Sequence, residues 1–403
     1  MELSLVRYIP IIVAIILAVG IVAYAQSSVA SATPPPTKYN VTLRVGYPDS
    51  LDESDVTDMY AYSHILAPLG IHVIPTFYDA PPLSYKGLIS GQEDISFGTT
   101  AQSFARGPGL NGEQTTCVTS YALAGVFLEI AGDGITQPSQ LIGKTVEDFG
   151  PGTSTRSLDL YWFAQANVPT TTDPTNKSAV YLKVGGGNIA RVNDLETGVA
   201  QAIAVDDFIL SDFTDPSINN TAHHGPFHVL FYAPTNYFDN CFAVEDSWLS
   251  QPANQQVIVE FIKAIIEAQR YFIQNPSALV TFAESQLPLT APSEISFTST
   301  FYPAHFTYWP YGSYNLIGSQ NVTGKFANTN TFFIDAGVIS SPVSNSTVKP
   351  FGVINKWFEY EALQQLGPFP YPSEPWATPS FLATVSSWVP SWMTSGAATS
   401  TST

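Results

Sequence analysis

The sequence predicts an α/β fold made of two similar lobes. Three observations support this prediction: short β-like runs alternate with amphipathic helical runs, the alternation starts again in the middle of the chain, and one helix-to-strand junction occurs in both halves. Strands alternating with helices at this spacing are typical of a parallel sheet covered on both faces. With 403 residues, 45% of them hydrophobic, the chain can bury two cores.

The first lobe begins with the alternating run VTLRVGY. Ser50 and Glu53 match a capping box, and the apolar residues after them recur at helical spacing, which predicts a helix. GIHVIPTFY predicts a second strand, and SYKGLISGQEDISFGTT a short helix, a strand and a glycine turn. A further helix is predicted where Thr99 and Gln102 match another capping box. The apolar face of the first helix consists of Val56, Met59, Tyr62, Leu66 and Leu69.

The second lobe repeats this order. CVTSYALAGVFLEIA predicts one extended buried strand, and GKTVEDF, SAVYLKVG and AQAIAVDD predict three more, separated by a helix after Thr153 and a helix over 188–198. The repeated junction reads LISGQEDI at 88–95 and LETGVAQAI at 195–203, and in both a helix should end at a left-handed glycine.

The remainder of the chain predicts two helices. The strand pattern YFDNCFAVEDSWL precedes the clearest amphipathic helix, which should end at Asn275 and Pro276, and a late helix lies in PFGVINKWFEYEALQQLG. Residues 290–349 are aromatic and rich in Pro and Asn, and they predict no defined element. The inward face of the amphipathic helix should hold Ile258, Phe261, Ile262, Ile265 and Phe272.

Composition excludes some functions. Only 12% of the residues are charged and the net charge is -18, so no clustered basic surface is available and nucleic acid is not an expected partner. Few charges and many Ser, Thr, Asn and Tyr residues are compatible with an extracellular protein in acid. Walker, Gly-x-Ser-x-Gly and zinc-helix motifs are absent, so we expect neither an enzyme nor a cofactor; the alternative is a Ser/His/Asp set that only the fold would bring together.

The N-terminus predicts export. Arg7 precedes an apolar run over 9–25, and small-residue cleavage patterns end at Ala25 and Ala32, so residues 1–32 are either a signal peptide or a membrane anchor. A run of about 17 residues is at the lower limit for spanning a bilayer, so both alternatives remain open. Residues 33–40 form a Pro/Thr linker. Glycosylation sequons that fit export begin at Asn40, Asn176, Asn219, Asn321 and Asn345.

Six motifs in order carry a resemblance to a known family. They are LRVGY, LAPLGIHVIPTFYDAPPLSYKGLISGQEDISFGTT, QLIGKTVEDFGPGTSTRSLDLYWFAQANV, LETGVAQAIAVDD, SWLSQPANQQVIVEFIKAIIEAQRYFIQNPSAL and INKWFEYEALQQLG. Together they resemble the solute-binding proteins of ABC importers that take up sulfonates, taurine, nitrate and thiamine precursors, over about 41–367. The family usually has aspartate where this chain has Gln201, a departure that concerns the particular ligand more than the fold.

The resemblance implies a type 2 periplasmic-binding-protein fold, with two lobes joined by two crossing strands and a ligand cleft between them. The first lobe would comprise 41–120 and 238–375, the second 121–237, with a C-terminal tail over 376–403. It also places Cys117 and Cys241 on the crossing segments, where a disulfide is expected; the alternative is two buried thiols. The expected partners of this monomer are a small-molecule ligand, ABC permease subunits and, through an anchor, the membrane.

One candidate anion site is predicted at a helix start. If Thr153 is the N-cap, Arg156 lies at the third helical position, where the other capping boxes have Glu or Gln, so this helix would not cap itself. Free N–H groups, the hydroxyls of Thr153, Ser154 and Thr155, and the Arg156 guanidinium would then bind a sulfonate or carboxylate. The alternative is an ordinary surface pair of Arg156 with Asp148 or Asp159.

Other candidate residues follow strands, because open α/β sheets bind ligands at the carboxyl ends of parallel strands. In the first lobe these are Asp49, Ser50, Thr99 and Thr100, for which simple helix capping is the alternative. In the second lobe Asp206, with Asp207, would favour an amine-bearing ligand or form a loop pair. Nearby aromatic residues would line the cleft or lie in the core: Tyr47, Phe77, Tyr78, Tyr161 and Trp162.

Two further alternatives remain. HHGPFH at 223–228 has spacing compatible with a metal site, but neither carboxylates nor cysteines lie near it in the sequence, so no metal is expected. Instead of a transport receptor, the chain would serve as a glycosylated cell-surface protein that keeps the fold without transport, in adhesion or assembly.

Overall fold

The structure is a computed structural model, and it describes residues 38–49, 51, 55–98, 115–122, 126–206, 225, 227–234, 239–286, 322–343, 352–355 and 357–369. The strands are β1 Val41–Tyr47, β2 Ile71–Phe77, β3 Ile95–Ser96, β4 Thr115–Ala122, β5 Val126–Ala131, β6 Thr145–Asp148, β7 Thr170–Thr171, β8 Val180–Val184, β9 Ala202–Asp206, β10 His228–Pro234 and β11 Asp239–Glu245.

Among the same residues, helix α1 is continuous over three pieces, Val56–Tyr60, Ala61–Leu66 and Ala67–Leu69, of which the middle piece is π-helical. The other helices are α2 Pro81–Ile89, α3 Ser154–Gln165, α4 Asn188–Glu196, α5 Asp246–Leu249, α6 Pro252–Gln274, α7 Pro276–Gln286, α8 Val322–Asp335 and α9 Trp357–Leu366.

The strands form two sheets. The first has the order β2-β1-β3-β11-β4 and the second the order β10-β5-β9-β6-β8-β7. In the first sheet β1 runs parallel to β2 and β3, and in the second β6 runs parallel to β8 and β9. The predicted fold of two α/β lobes is confirmed, because each parallel core is built from the strand–helix–strand pattern that the sequence showed in each half.

The chain passes twice between the sheets. β4 and β11 pair antiparallel in the first sheet, while β5 and β10 pair antiparallel in the second. The single strand predicted over CVTSYALAGVFLEIA is therefore wrong: it is two strands, β4 and β5, in different sheets. The break between the strands was not visible in the sequence, because every described side chain of both strands is buried and the apolar pattern therefore runs on from one strand to the next.

The repeated junction has the same geometry in both lobes. Gly91 and Gly198 adopt φ of 71° and 72°, as predicted for left-handed glycines after a helix. Three residues later, the backbone N–H of Asp94 donates to the Arg44 carbonyl at 2.9 Å, and that of Gln201 donates to the Thr145 carbonyl at 2.9 Å. The two halves are therefore structural repeats at this junction.

Helix α1 packs against β1 through a buried polar contact. Tyr47 donates its hydroxyl to Oδ2 of Asp58 at 2.9 Å and lies 2.5 Å from the Tyr62 hydroxyl. Burial raises the pKa of Asp58 to about 8, and the hydrogen bond from Tyr47 opposes this rise. In acid, the Asp58 carboxyl is thus protonated and uncharged in the core. The predicted capping box of Ser50 and Glu53 lies outside the described residues.

The amphipathic helix α6 lies in the core of the first lobe. The predicted inward residues are confirmed, since Ile258, Phe261, Ile262, Ile265 and Phe272 are all fully buried. Helix α9 packs against it, and Arg270 Nη2 donates to the Gly367 carbonyl at 2.9 Å beyond the end of α9. Nη1 of Arg270 also donates to the carbonyl of Leu366, the last residue of α9, at 3.3 Å, so a carbonyl left free by the helix end is satisfied.

Helix α8 occupies part of the region in which the sequence predicted no element. The predicted boundaries assign this region to the first lobe, yet α8 packs against α3 of the second lobe, with the rings of Phe332 and Tyr161 6.1 Å apart. Phe332 lies at the edge of a core formed by side chains from the second sheet and from α3. The C-terminal tail, residues 376–403, lies outside the described part of the chain.

Candidate functional site: the cleft between the two sheets

The two lobes meet where parallel strands end. Asp49 follows β1 in the first sheet, and Gly187 and Asn188 follow β8 in the second, at the start of α4. The backbone N–H of Asn188 donates to Oδ2 of Asp49 at 3.2 Å. This hydrogen bond crosses the cleft and joins residues 139 positions apart in the chain. The carboxyl-end edges of the two sheets therefore face each other, as the open α/β arrangement requires of a ligand cleft.

Asn188 organises the second-lobe side of this cleft. Its side chain is 5% exposed and donates from Nδ2 to Oδ2 of Asp206 at 3.0 Å. Its Oδ1 accepts a hydrogen bond from Nη2 of Arg191, one turn later on α4. Asp206, a predicted site residue, thus lies beside Asn188 at the cleft. Asn188 was not among the residues predicted from the sequence.

Arg191 is the buried cation behind the cleft. Its side chain is fully buried, and its guanidinium lies 3.7 Å from the centre of the Phe149 ring, a cation–π contact. Burial lowers the pKa of Arg191, and the charges of four carboxylates, of which Asp49 has the largest effect, oppose this. Nε and Nη1 find no hydrogen-bond acceptor among the described residues. Among the described residues, these two nitrogens of Arg191 therefore have N–H groups to offer to a further acceptor. The carboxylates are Asp49, Asp206, Asp148 and Asp159.

The sequence carried a signal for these residues in GGGNIAR. Three glycines before a helix allow another group to approach the backbone closely. An ideal Cβ added to Gly187 would lie 2.1 Å from Oδ1 of Asp49, so the glycine makes room for that carboxylate. The spacing of Asn188 and Arg191 by three residues places both on one helical face.

The predicted anion site at the start of α3 has a different arrangement. Thr153 is the N-cap, and its Oγ1 accepts a hydrogen bond from the Arg156 N–H at 3.2 Å. The expectation that this helix does not cap itself is therefore wrong. Arg156 is 4% exposed; its Nε donates to Asp148, and its Nη2 donates to the Leu182 carbonyl at 3.1 Å. Arg156 thus pairs with one of the two carboxylates named as alternatives, but inside the lobe.

The turn before α3 explains this pairing. Asp148 ends β6, and Gly150 and Gly152, with φ of 92° and 85°, reverse the chain so that the strand end and the helix start meet. Thr155 accepts from the Phe149 N–H at 3.1 Å, while Ser154 is half-buried. A ligand role for Thr153, Ser154, Thr155 and Arg156 remains a prediction.

Two further acids, Glu129 and Asp159, lie close enough to Asp148 for its charge to act on both. Glu129 and Asp159 are fully buried, and burial is the main cause that raises the pKa of each. The charge of Glu129 raises the pKa of Asp159 further. Burial therefore favours the protonated form of both acids, and the charge of Arg191 opposes this for Glu129.

Solved structures resemble this arrangement of sheets. The periplasmic nitrate-binding protein NrtA from Synechocystis PCC 6803 superposes with a TM-score of 0.61 at 14% identity, over 85% of this chain and 93% of that one. A Candida albicans gene product, which defines a new family with the generic periplasmic binding protein fold, gives 0.56 at 15% identity over 76% and 92%. The chain has the periplasmic-binding-protein fold.

A third protein of this fold is the alkanesulfonate-binding protein SsuA from Xanthomonas axonopodis pv. citri, bound to MOPS. Its TM-score is 0.52 at 17% identity, over 75% of this chain and 96% of that one. No protein-family model and no curated protein sequence matches the chain. At such identities the similarity concerns the fold.

Within the periplasmic-binding-protein fold, the departure at Gln201 has a structural explanation. Its Oε1 accepts from the Thr145 N–H at 3.1 Å, just as Oδ2 of Asp94 accepts from the Arg44 N–H at 2.9 Å in the first lobe. Either an amide or a carboxylate oxygen can accept this bond. The side chain of Gln201 therefore stabilises the junction between helix α4 and strand β9.

Several predicted site residues lie outside the described part of the chain: Ser50, Thr99, Thr100, Asp207, His223 and His224. The third histidine, His228, is buried on β10, and the described residues contain no group of His, Cys, Asp or Glu arranged to hold a metal ion. Of the aromatic candidates, Tyr47 and Trp162 lie in the cores. Phe77 is 37% exposed and stacks on Tyr47 with ring centres 5.4 Å apart.

The cysteines and two sequons can also be placed. A disulfide joins Cys117 on β4 to Cys241 on β11, with Cα atoms 5.6 Å apart. Asn40 and Asn176 are exposed, whereas Asn219, Asn321 and Asn345 fall in undescribed segments. Where the structure describes the chain, none of the helices has the length and apolarity needed to cross a bilayer; the apolar run over 9–25 is outside that part.

Proposed function

We propose that this protein is an extracytoplasmic receptor that closes two lobes around a small, anionic organic solute and presents it to the permease of an ABC importer. The fold and its resemblance to nitrate- and sulfonate-binding proteins support this proposal. Hinge closure around a ligand is the usual motion of two-lobed binding proteins.

The observation that carries the proposal is a set of hydrogen-bond donors on the second-lobe side of the cleft. The N–H of Asn188, in the first turn of α4, donates into the cleft, and two nitrogens of Arg191 have no hydrogen-bond acceptor among the described residues. A helix N-terminus and a buried guanidinium both stabilise an anion. A carboxylate, that of Asp49, already lies there, which supports the chemical class of the solute.

The test compares two buried arginines of the same lobe. Calorimetric titration of taurine, methanesulfonate, nitrate, dicarboxylates and aminopyrimidines would be performed on the parent, Arg191→Met and Arg156→Met. Loss of a charge-assisted hydrogen bond at Arg191 should weaken binding of the captured solute by about tenfold to a hundredfold. Arg156→Met, the matched control, should keep its affinity because Arg156 is directed to Asp148. Circular dichroism would establish that both variants fold.

Two results would contradict the proposal. Full affinity in Arg191→Met with loss in Arg156→Met would move the anion site to the start of α3. Absence of binding by every solute would favour the alternative of a surface protein without transport.

A further inference from the structure

The contact of Asp49 with α4 differs from ordinary helix capping. An N-cap side chain normally belongs to the residue just before the helix. Here the position before α4 is Gly187, which has no side chain, and the carboxylate comes from the other sheet. The first lobe thus supplies the acceptor that the first turn of a second-lobe helix lacks.

The backbone around Gly187 is shaped for this approach. Its φ of -58° and ψ of 171° are accessible to any residue, so backbone conformation does not require glycine here. Space does, because an added Cβ would lie 2.1 Å from Oδ1 and 2.9 Å from Cγ of Asp49. The glycine therefore permits close contact between the Asp49 carboxylate and the backbone of the second lobe.

Charge also favours the contact. Asp49 has the largest effect among the carboxylates that act on the fully buried Arg191. The partial positive charge of the helix N-terminus adds to this attraction. A solute anion that used the Asn188 N–H would need the position that Oδ2 of Asp49 occupies, so both cannot bind there together.

We propose that Asp49 is an intramolecular latch: its carboxylate binds the first turn of α4, holds the two lobes closed without solute, and is displaced by the solute anion. The displacement rests on the proposed function, whereas the latch itself does not. Closure without solute reduces the apparent affinity, because part of the binding energy is used to release Asp49.

The latch can be tested on the full-length protein without any solute. Hydrogen exchange of the Asn188 amide would be followed in the parent, Asp49→Ala and Gly187→Ala. Asp49→Ala removes the acceptor, and Gly187→Ala keeps the charge but prevents its approach. Both should accelerate exchange at this amide by about tenfold or more. Asp79→Ala, which removes an exposed carboxylate of the same lobe, is the matched control and should leave exchange unchanged.

Lobe separation would be measured in the same variants by electron–electron double resonance. Spin labels would be attached at the exposed positions His72→Cys and Thr172→Cys, one in each lobe. Both latch variants should lengthen the mean distance between labels, and the control should not. Unchanged exchange and unchanged distance in both latch variants would overturn the latch.

A second arm tests displacement, with methanesulfonate and nitrate as probes. Asp49→Ala should bind the probe about tenfold more tightly than the parent, because no carboxylate has to leave. Gly187→Ala should bind it more weakly, because the added Cβ fills the space where the carboxylate oxygen of Asp49 lies and excludes the probe anion as well. Weaker binding by Asp49→Ala would overturn displacement and make Asp49 a solute-binding group. If the parent binds none of the solutes while the exchange and distance changes are present, the proposed function fails and the latch stands.

Discussion

Asp58→Asn should make the stability of the protein less dependent on pH. Asp58 is fully buried beneath Tyr47, and its pKa is raised from 3.8 to about 8. A carboxyl with a higher pKa when folded holds its proton more tightly in the folded state. Its contribution to stability is therefore complete in acid and is lost as the pH rises from about 4 to about 8.

The magnitude follows from linkage. Each pH unit between the unfolded and folded pKa values costs the folded state about 1.4 kcal/mol, so about 4 kcal/mol is lost between about pH 4 and pH 7. Asparagine has no proton to lose and keeps an oxygen that can accept from Tyr47. Relative to the parent, the variant should therefore gain about 4 kcal/mol of stability between about pH 4 and pH 7.

The assay is urea denaturation, followed by tryptophan fluorescence, at about pH 4, 5, 6, 7 and 8. The difference in unfolding free energy between variant and parent should grow with pH, whatever constant offset the amide introduces. Burial also raises the pKa values of Glu129, Asp159 and Glu359. Both proteins should therefore still lose stability as the pH rises, and the variant should lack only the part of this loss that Asp58 causes. Asp79→Asn is the exposed control. Parallel curves for the parent and Asp58→Asn would refute the reasoning.

Two further predictions concern Arg156 and the cysteines. Arg156→Ala should destabilise the solute-free protein by about 3 to 5 kcal/mol, since it leaves Asp148 buried without its cation. Calorimetry would measure this, and a level or raised melting temperature would contradict it. Reduction should add two hydrogens to the intact mass and destabilise the chain by about 5 kcal/mol, because the bond between Cys117 and Cys241 closes a loop with a sequence separation of 124. An unchanged mass would mean free thiols.

The sequence by itself predicted the α/β alternation and its repetition, but not the break between β4 and β5 or helix α8. The α6 face was readable because burial of one side of a helix imposes apolar residues at helical spacing. The left-handed Gly91 and Gly198 were readable because a helix end has local backbone requirements. In each case the signal and its cause lie within a few residues of each other.

The tertiary structure decided which charges meet. Arg156 lies at a helix start that resembles an anion site in sequence, but the turn after β6 brings Asp148 to it. Asp49 and Asn188 are 139 positions apart and meet only because the carboxyl ends of two different sheets face each other. Coulomb attraction depends on distance in space and on burial, and neither is encoded by local spacing along the chain. Elements with a clear local pattern were therefore predictable from the sequence, whereas the pairing of Asp49 with Asn188 required the fold.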